Sequence, residues 1–128
     1  MKYEEITEKI IGAAYRVYNE LGFGFLEKVY QNAMLIELEK VNLKAVAEYP
    51  ITVYYDDKVV GEYAADIIVE DKIILELKSL KLLTDAHRAQ LVHYLCATRM
   101  EVGLLINFGE KIEIKRVVFD NERKKKSV

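Results

Sequence analysis

The chain has 128 residues with an apolar share of 52%, enough for one core of ordinary size and too apolar for a disordered polar chain. A formal net charge of −2 excludes a broad electrostatic hold on polyanions, though not a local basic patch. Apolar runs fall short of the ~20 residues of a membrane helix. Met1-Lys2-Tyr3-Glu4-Glu5 lacks a signal-peptide pattern, and the single cysteine, Cys96, cannot form an internal disulfide. The expectation is a cytoplasmic protein with no membrane partner.

In chain order, residues 4–20 read as an amphipathic helix, with Ile6, Ile10, Ala13, Ala14, Val17, Tyr18 and Leu21 at helical spacing. Gly22 and Gly24 end it. A second helix is expected from about Leu26 to Lys40, ended by Asn42. The period then becomes strand-like. Ile51-Thr52-Val53-Tyr54-Tyr55 is rich in β-branched and aromatic residues, with Pro50 placed near the strand start, where a missing N–H is tolerable. Asp56-Asp57-Lys58 is a turn, and a second strand covers Val59 to Val69 with a bulge near Gly61. Glu70-Asp71-Lys72 turns into a third strand, Ile73 to Ser79, completing an antiparallel meander. A third helix is expected over Thr84 to Arg99, with Thr84 as N-cap and Asp85 at the positive end of the helix dipole. Val102 to Phe108 is nearly all apolar, as a strand covered on both faces should be, and Ile112 to Phe119 is a last strand. Strand, helix, strand over 73–108 fits a parallel crossover, so the fold class is α/β, a mixed sheet flanked by helices. The basic run Arg123-Lys124-Lys125-Lys126 reads as a solvated terminus, with a phosphate-contacting arm as the functional alternative.

Three charges stand out on apolar strands. Asp66 lies in Ala65-Asp66-Ile67-Ile68-Val69, and Glu76 and Lys78 lie in Ile74-Leu75-Glu76-Leu77-Lys78. Burying charge among Ile, Leu and Val is costly unless it is paired or binds an ion. Alternation puts Glu76 and Lys78 on one face. A hairpin loop centred on Asp71 sets Asp66 directly opposite Glu76, and a slip by one residue would separate them. Facing carboxylates repel by up to roughly 1 kcal/mol on an exposed sheet and more when buried. A bound cation reverses the sign of that interaction. Hard oxygen ligands on rigid strands suit Mg²⁺ or Mn²⁺, which can polarise a phosphate and lower the pKa of a bound water. Lys78 could orient that water or stabilise developing negative charge. The competing reading is a structural ion pair of Lys78 with Glu76 or Asp66.

On the third helix, His87, Gln90 and Tyr94 share a face that could overlook the carboxylates. Glu27, opening the second helix, is either a helix-dipole carboxylate or a third acid reaching the metal. His87, His93 and Cys96 lack a second ligand pair at zinc-finger spacing.

Gly24-Phe25-Leu26-Glu27-Lys28-Val29-Tyr30 fits the pattern G-x-x-E-x-x-Y. With Ala65-Asp66, Glu76-Leu77-Lys78, Gln90 with Tyr94, and Val102-Gly103-Leu104-Leu105-Ile106-Asn107-Phe108-Gly109, the chain resembles the GxxExxY family from about residue 4 to 119. That family is grouped with the PD-(D/E)xK nuclease-like superfamily. The resemblance implies a restriction-endonuclease-like core over residues 1–120, followed by the basic tail 121–128. It implies hydrolysis of phosphodiester bonds in DNA or RNA with Mg²⁺ or Mn²⁺. Asp66 and Glu76 would be metal ligands, with the carbonyl of Leu77 completing the shell. Lys78 would be the catalytic lysine, Glu27 the early helical acid, and Gln90 the helix residue positioning lysine or water. Ala65 departs from the superfamily pattern, which is named for a proline there. Two further readings are a catalytically silent module that binds nucleic acid, and a protein-partner role as a homodimer.

Overall fold

The alternation of apolar residues places two helices ahead of a sheet, and the computed structural model, which describes residues 2–124, has that order. Helices α1 (Glu4–Leu21) and α2 (Glu27–Lys40) precede strands β1 (Ala45–Tyr55), β2 (Lys58–Val69) and β3 (Ile73–Lys78). Helix α3 (Asp85–Cys96), β4 (Val102–Phe108), β5 (Ile112–Val118) and a short 3-10 turn (Asn121–Arg123) follow. The five strands lie in chain order. All neighbours are antiparallel except β3 and β4, which run parallel and are joined through α3. This is the expected mixed α/β sheet, consistent with a restriction-endonuclease-like fold.

Each sheet face has its own core. Ile10, Ala13, Tyr30, Met34 and Leu38 of α1 and α2 pack on Leu75, Leu77, Leu104 and Ile106. On the other face Leu91, Tyr94 and Leu95 of α3 pack on Ile68, Ile74 and Leu105. Strands β3 and β4 are therefore buried on both sides, which accounts for their unbroken apolar runs. Gly103 permits the close approach of α3, since a Cβ there would lie 2.7 Å from Leu91 Cδ1. Among the described residues no helix is long and apolar enough to cross a membrane.

Several boundaries differ from expectation. Helix α3 stops at Cys96 rather than Arg99, and beyond it the Thr98 hydroxyl donates back to the carbonyls of Tyr94 and Leu95, at 3.0 and 3.3 Å, supplying partners for the last turn. Pro50 sits inside β1, not near its start, and is tolerated because β1 is an edge strand. The β1–β2 bulge leaves Val60 unpaired beside Gly61, as Val53 faces Gly61 and Tyr54 faces Val59. The described part of the tail is also held. Lys124 Nζ donates to the carbonyls of Thr98 (3.1 Å) and Met100 (2.7 Å), so Lys124 clamps the α3–β4 loop and is not part of a solvated run. Lys125 and Lys126 lie outside the described residues.

An irregularity interrupts the β1–β2 hairpin. Ala47 pairs with Ile67 and Tyr49 with Ala65, but the intervening Glu48 and Asp66 do not pair, and Glu48 has φ 54°. Here the alternation reverses. Ile67 and Val69 face α1 and α2, whereas Ala65, two residues before Ile67, faces α3. The outer half of the hairpin is thereby turned over relative to the inner half.

Candidate active site

The β2–β3 loop sets the register. Ile67, Ile68 and Val69 pair with Leu75, Ile74 and Ile73, so the next rung places Asp66 opposite Glu76. At that rung side chains replace the backbone ladder. The Leu77 N–H donates to Asp66 Oδ2 at 2.6 Å, and the Asp66 N–H donates to Glu76 Oε2 at 3.3 Å. Glu76 is only 4% exposed. Burial pushes its carboxyl up to about 9, with hydrogen bonding to the Asp66 side chain and that group's charge adding to the rise. The Asp66 N–H and the positive charge of Lys78 act in the opposite direction.

Alternation decides which way the pair points. Leu75 and Leu77 pack beneath α1 and α2, and Ile74 packs beneath α3, so Glu76 and Lys78 share the α3 face. Lys78 is half-buried, and among the described residues it has no contact within 4 Å of the Asp66 or Glu76 carboxylates, although its charge is felt by Glu76. Tyr94 of α3 is buried over this face, and its phenol is raised by burial and then by the charges of Glu76 and Asp66. Gln90, one turn earlier, donates from Nε2 to the Tyr94 hydroxyl at 3.2 Å. His87 does not join them in a polar stripe. Its Nδ1 accepts the Thr84 N–H at 3.0 Å and closes a capping box at the start of α3.

Glu27 stands apart. It is exposed at the first turn of α2, the helix on the opposite face. The Ser79 hydroxyl donates to the Phe25 carbonyl at 2.7 Å, which fixes the entry to α2 beside the end of β3. Among the described residues, no group of three or more His, Cys, Asp or Glu side chains is placed to hold a metal, so Glu27 does not complete a cluster with Asp66 and Glu76. The rest of the G-x-x-E-x-x-Y segment is structural. Gly24 takes φ 120°, and the Tyr30 hydroxyl donates to the Gly22 carbonyl at 2.6 Å while its ring stacks on Phe108 at 4.4 Å.

Sequence reasoning missed two residues. Gln31, one turn beyond Glu27, donates from Nε2 to the Asp66 carbonyl at 2.9 Å and ties α2 to the candidate site. Asn107 is fully buried, pairs beside Lys78, and accepts the Leu80 N–H while donating to the Leu80 carbonyl, both at 2.9 Å. An amide within an apolar strand was the available signal, of the same kind that marked Asp66 and Glu76.

A divalent cation fits this donor set. Each carboxylate accepts one backbone N–H, and a buried acid hydrogen-bonded to a second carboxylate is the arrangement a hard cation relieves. The candidate ligands are Asp66, Glu76 and the carbonyl of Leu77.

Comparisons with known proteins agree with this architecture. No curated protein sequence matches the chain. Among solved structures, the crystal structure of SSO0001 is similar with a TM-score of 0.58 at 19% identity, over 93% of this chain and 58% of that one. That likeness concerns the fold, and the chain spans little more than half the length of SSO0001. The sequence model of the PD-(D/E)XK nuclease superfamily matches residues 4–117, and the chain belongs to that superfamily.

Proposed function

We propose that this chain hydrolyses phosphodiester bonds of DNA or RNA with Mg²⁺ or Mn²⁺, and that within its superfamily it belongs to the GxxExxY group. The observation that carries the reading is the buried Glu76 set against Asp66, with Lys78 on the same face and in no ion pair with either. Asp66, Glu76 and the Leu77 carbonyl would hold the ion. When bound, it would supply Lewis-acid polarisation of a phosphate oxygen and a water of lowered pKa. Lys78 brings an ammonium group to the same face, orienting the water and stabilising negative charge that develops on the phosphate. Gln90, tethered to Tyr94, holds its amide over this face and positions lysine or water. Glu27, at the first turn of α2, would be the early helical acid of the superfamily pattern. Residues 1–120 form the nuclease-like unit in this reading. The lone Cys96, which leaves no internal disulfide, supports a reducing, cytoplasmic setting. For a duplex substrate, a homodimer would set two such sites against two strands.

Cleavage of labelled DNA and RNA, single- and double-stranded, tests the proposal. Wild type should cut at least one of them with Mg²⁺ or Mn²⁺, and Asp66→Ala and Lys78→Ala should each lower the rate by about 100-fold or more. Equal rates in all three proteins would overturn it. Metal-independent binding without cleavage would instead assign a catalytically silent module.

A further inference from the structure

A cavity of about 660 Å³ opens between α3 and the outer half of the β1–β2 hairpin, and of its lining only Gln90 and Tyr94 have a role above. Its volume lies within the range of small-ligand sites, roughly 300–1,000 Å³. Val60 and Tyr63 line it from the hairpin, and Ala89, Gln90, His93 and Tyr94 from α3. Its lining contains no lysine, arginine, aspartate or glutamate, so it is not built for a phosphate or a charged sugar. Its polar groups are an amide, an imidazole, a thiol and two phenols, set among apolar walls. That combination suits a flat, neutral, hydrogen-bonding ring.

The ring that would receive such a ligand is identifiable. Tyr63 is 52% exposed, and its ring lies 5.9 Å from that of the buried Tyr94, tilted by 46°. Tyr94 is held by its neighbour, leaving Tyr63 with open aromatic surface. The cavity adjoins the candidate site through α3, because Gln90 and Tyr94 line it and Tyr94 packs on the sheet face that carries Glu76. The reversal of faces at Glu48 and Asp66 creates the hairpin wall. Without it, Tyr63 would share the face of Ile67 and Val69 and point away from α3. A non-glycine residue at φ 54° within a strand is a conformational cost retained at the rung that carries Asp66.

We propose that this cavity binds one unpaired nucleobase of the substrate, stacked on Tyr63 with its edge toward Gln90 and His93, while the neighbouring phosphate lies at Asp66 and Glu76. The preferred substrate is then single-stranded or flapped nucleic acid, since a base in a duplex must leave its stack to enter a concave site. The inference rests on the nuclease reading for the identity of the ligand.

Two measurements separate the two proposals. Fluorescence anisotropy in EDTA compares labelled single-stranded and blunt duplex oligonucleotides binding to wild type, Tyr63→Ala, Tyr63→Phe and Ala89→Trp, each checked for folding by circular dichroism. Wild type should prefer the single strand. Tyr63→Ala and the cavity-filling Ala89→Trp should each weaken that binding roughly 5- to 100-fold, and Tyr63→Phe should retain it. One abasic position in the oligonucleotide should reproduce the loss in wild type only. Equal affinity for single strand and duplex, with both cavity variants within twofold of wild type, would overturn the proposal. So would a dimer, seen by light scattering, that dissociates on Ala89→Trp while oligonucleotide binding is unchanged. Cleavage with Mn²⁺ is scored separately. Cutting that ignores the cavity variants leaves the nuclease reading and removes the base site, whereas base-dependent binding without any cutting does the reverse.

Discussion

Glu76 concentrates the electrostatics of the candidate site. Its carboxyl is pushed up to about 9 from an ordinary 4.5, by burial first and by Asp66 second. A raised folded-state value means that the fold favours the protonated acid. The associated stability is complete below about pH 4.5 and is lost as the pH rises through about 9. Thermal melts of the metal-free protein should therefore show a midpoint that declines across that window. Glu76→Gln, which cannot ionise, should flatten the decline. Mn²⁺ should raise the midpoint of wild type most at the alkaline end, where Glu76 is ready to ligate, and should do little for Glu76→Gln. A wild-type midpoint that rises steadily from acid to alkaline pH would contradict this account.

At the scale of elements, the candidate site depends on how β3 and β2 are anchored at their ends. Asn107 makes two hydrogen bonds to Leu80 and holds the chain just beyond Lys78. Gly109 belongs to the same clamp, since a Cβ there would lie 2.5 Å from the Leu80 carbonyl. Asn107→Ala should cost about 1–3 kcal/mol in denaturant unfolding, because it leaves part-buried backbone groups of Leu80 without their partner, and should also lower any cleavage rate by releasing the segment that follows Lys78. Loss of stability with an unchanged rate would show that the clamp serves folding alone. Glu48 is the second anchor. Its left-handed backbone is disfavoured for a side chain and worse for a β-branched one. Glu48→Val should lower stability by about 1 kcal/mol or more, whereas Glu48→Gly should not, as read by denaturant unfolding. Neither Glu48 nor Asn107 was assigned a role from the sequence. Strand periodicity predicts alternation but carries no signal for where alternation reverses, and an amide is read as a loop anchor only when its partner loop is known.

Across the described residues, Lys2, Asn121 and Lys124 tie segments distant in the chain to the sheet and its loops. Lys2 pairs with Glu101 at 2.7 Å, the Asn121 N–H donates to the same carboxylate at 2.7 Å, and Lys124 caps carbonyls after α3. Burial lowers the Lys124 amine from its ordinary value. Despite that cost, Lys124→Ala should destabilise the protein by about 1–3 kcal/mol in denaturant unfolding, because it leaves the Thr98 and Met100 carbonyls without their donor. A Lys124→Ala variant as stable as wild type would show that this clamp contributes nothing to folding.

The α/β class, the order of elements and the Asp66–Glu76 rung were legible from the sequence by itself. These follow from local rules: side-chain period, glycine and Asx turns, and a hairpin loop whose centre at Asp71 fixes the register. The polar helix residues were legible only in part, since Gln90 and Tyr94 lie over the sheet but His87 turns back to cap its own helix. Only the tertiary structure decided that the carboxylates face α3 while Glu27 sits on the helix across the sheet. It likewise decided that Gln31 and Asn107 hold the rung from outside, and that the hairpin turns over at Glu48. Each of these depends on contacts between residues far apart in the chain, where burial and hydrogen-bond satisfaction, rather than period, select the conformation.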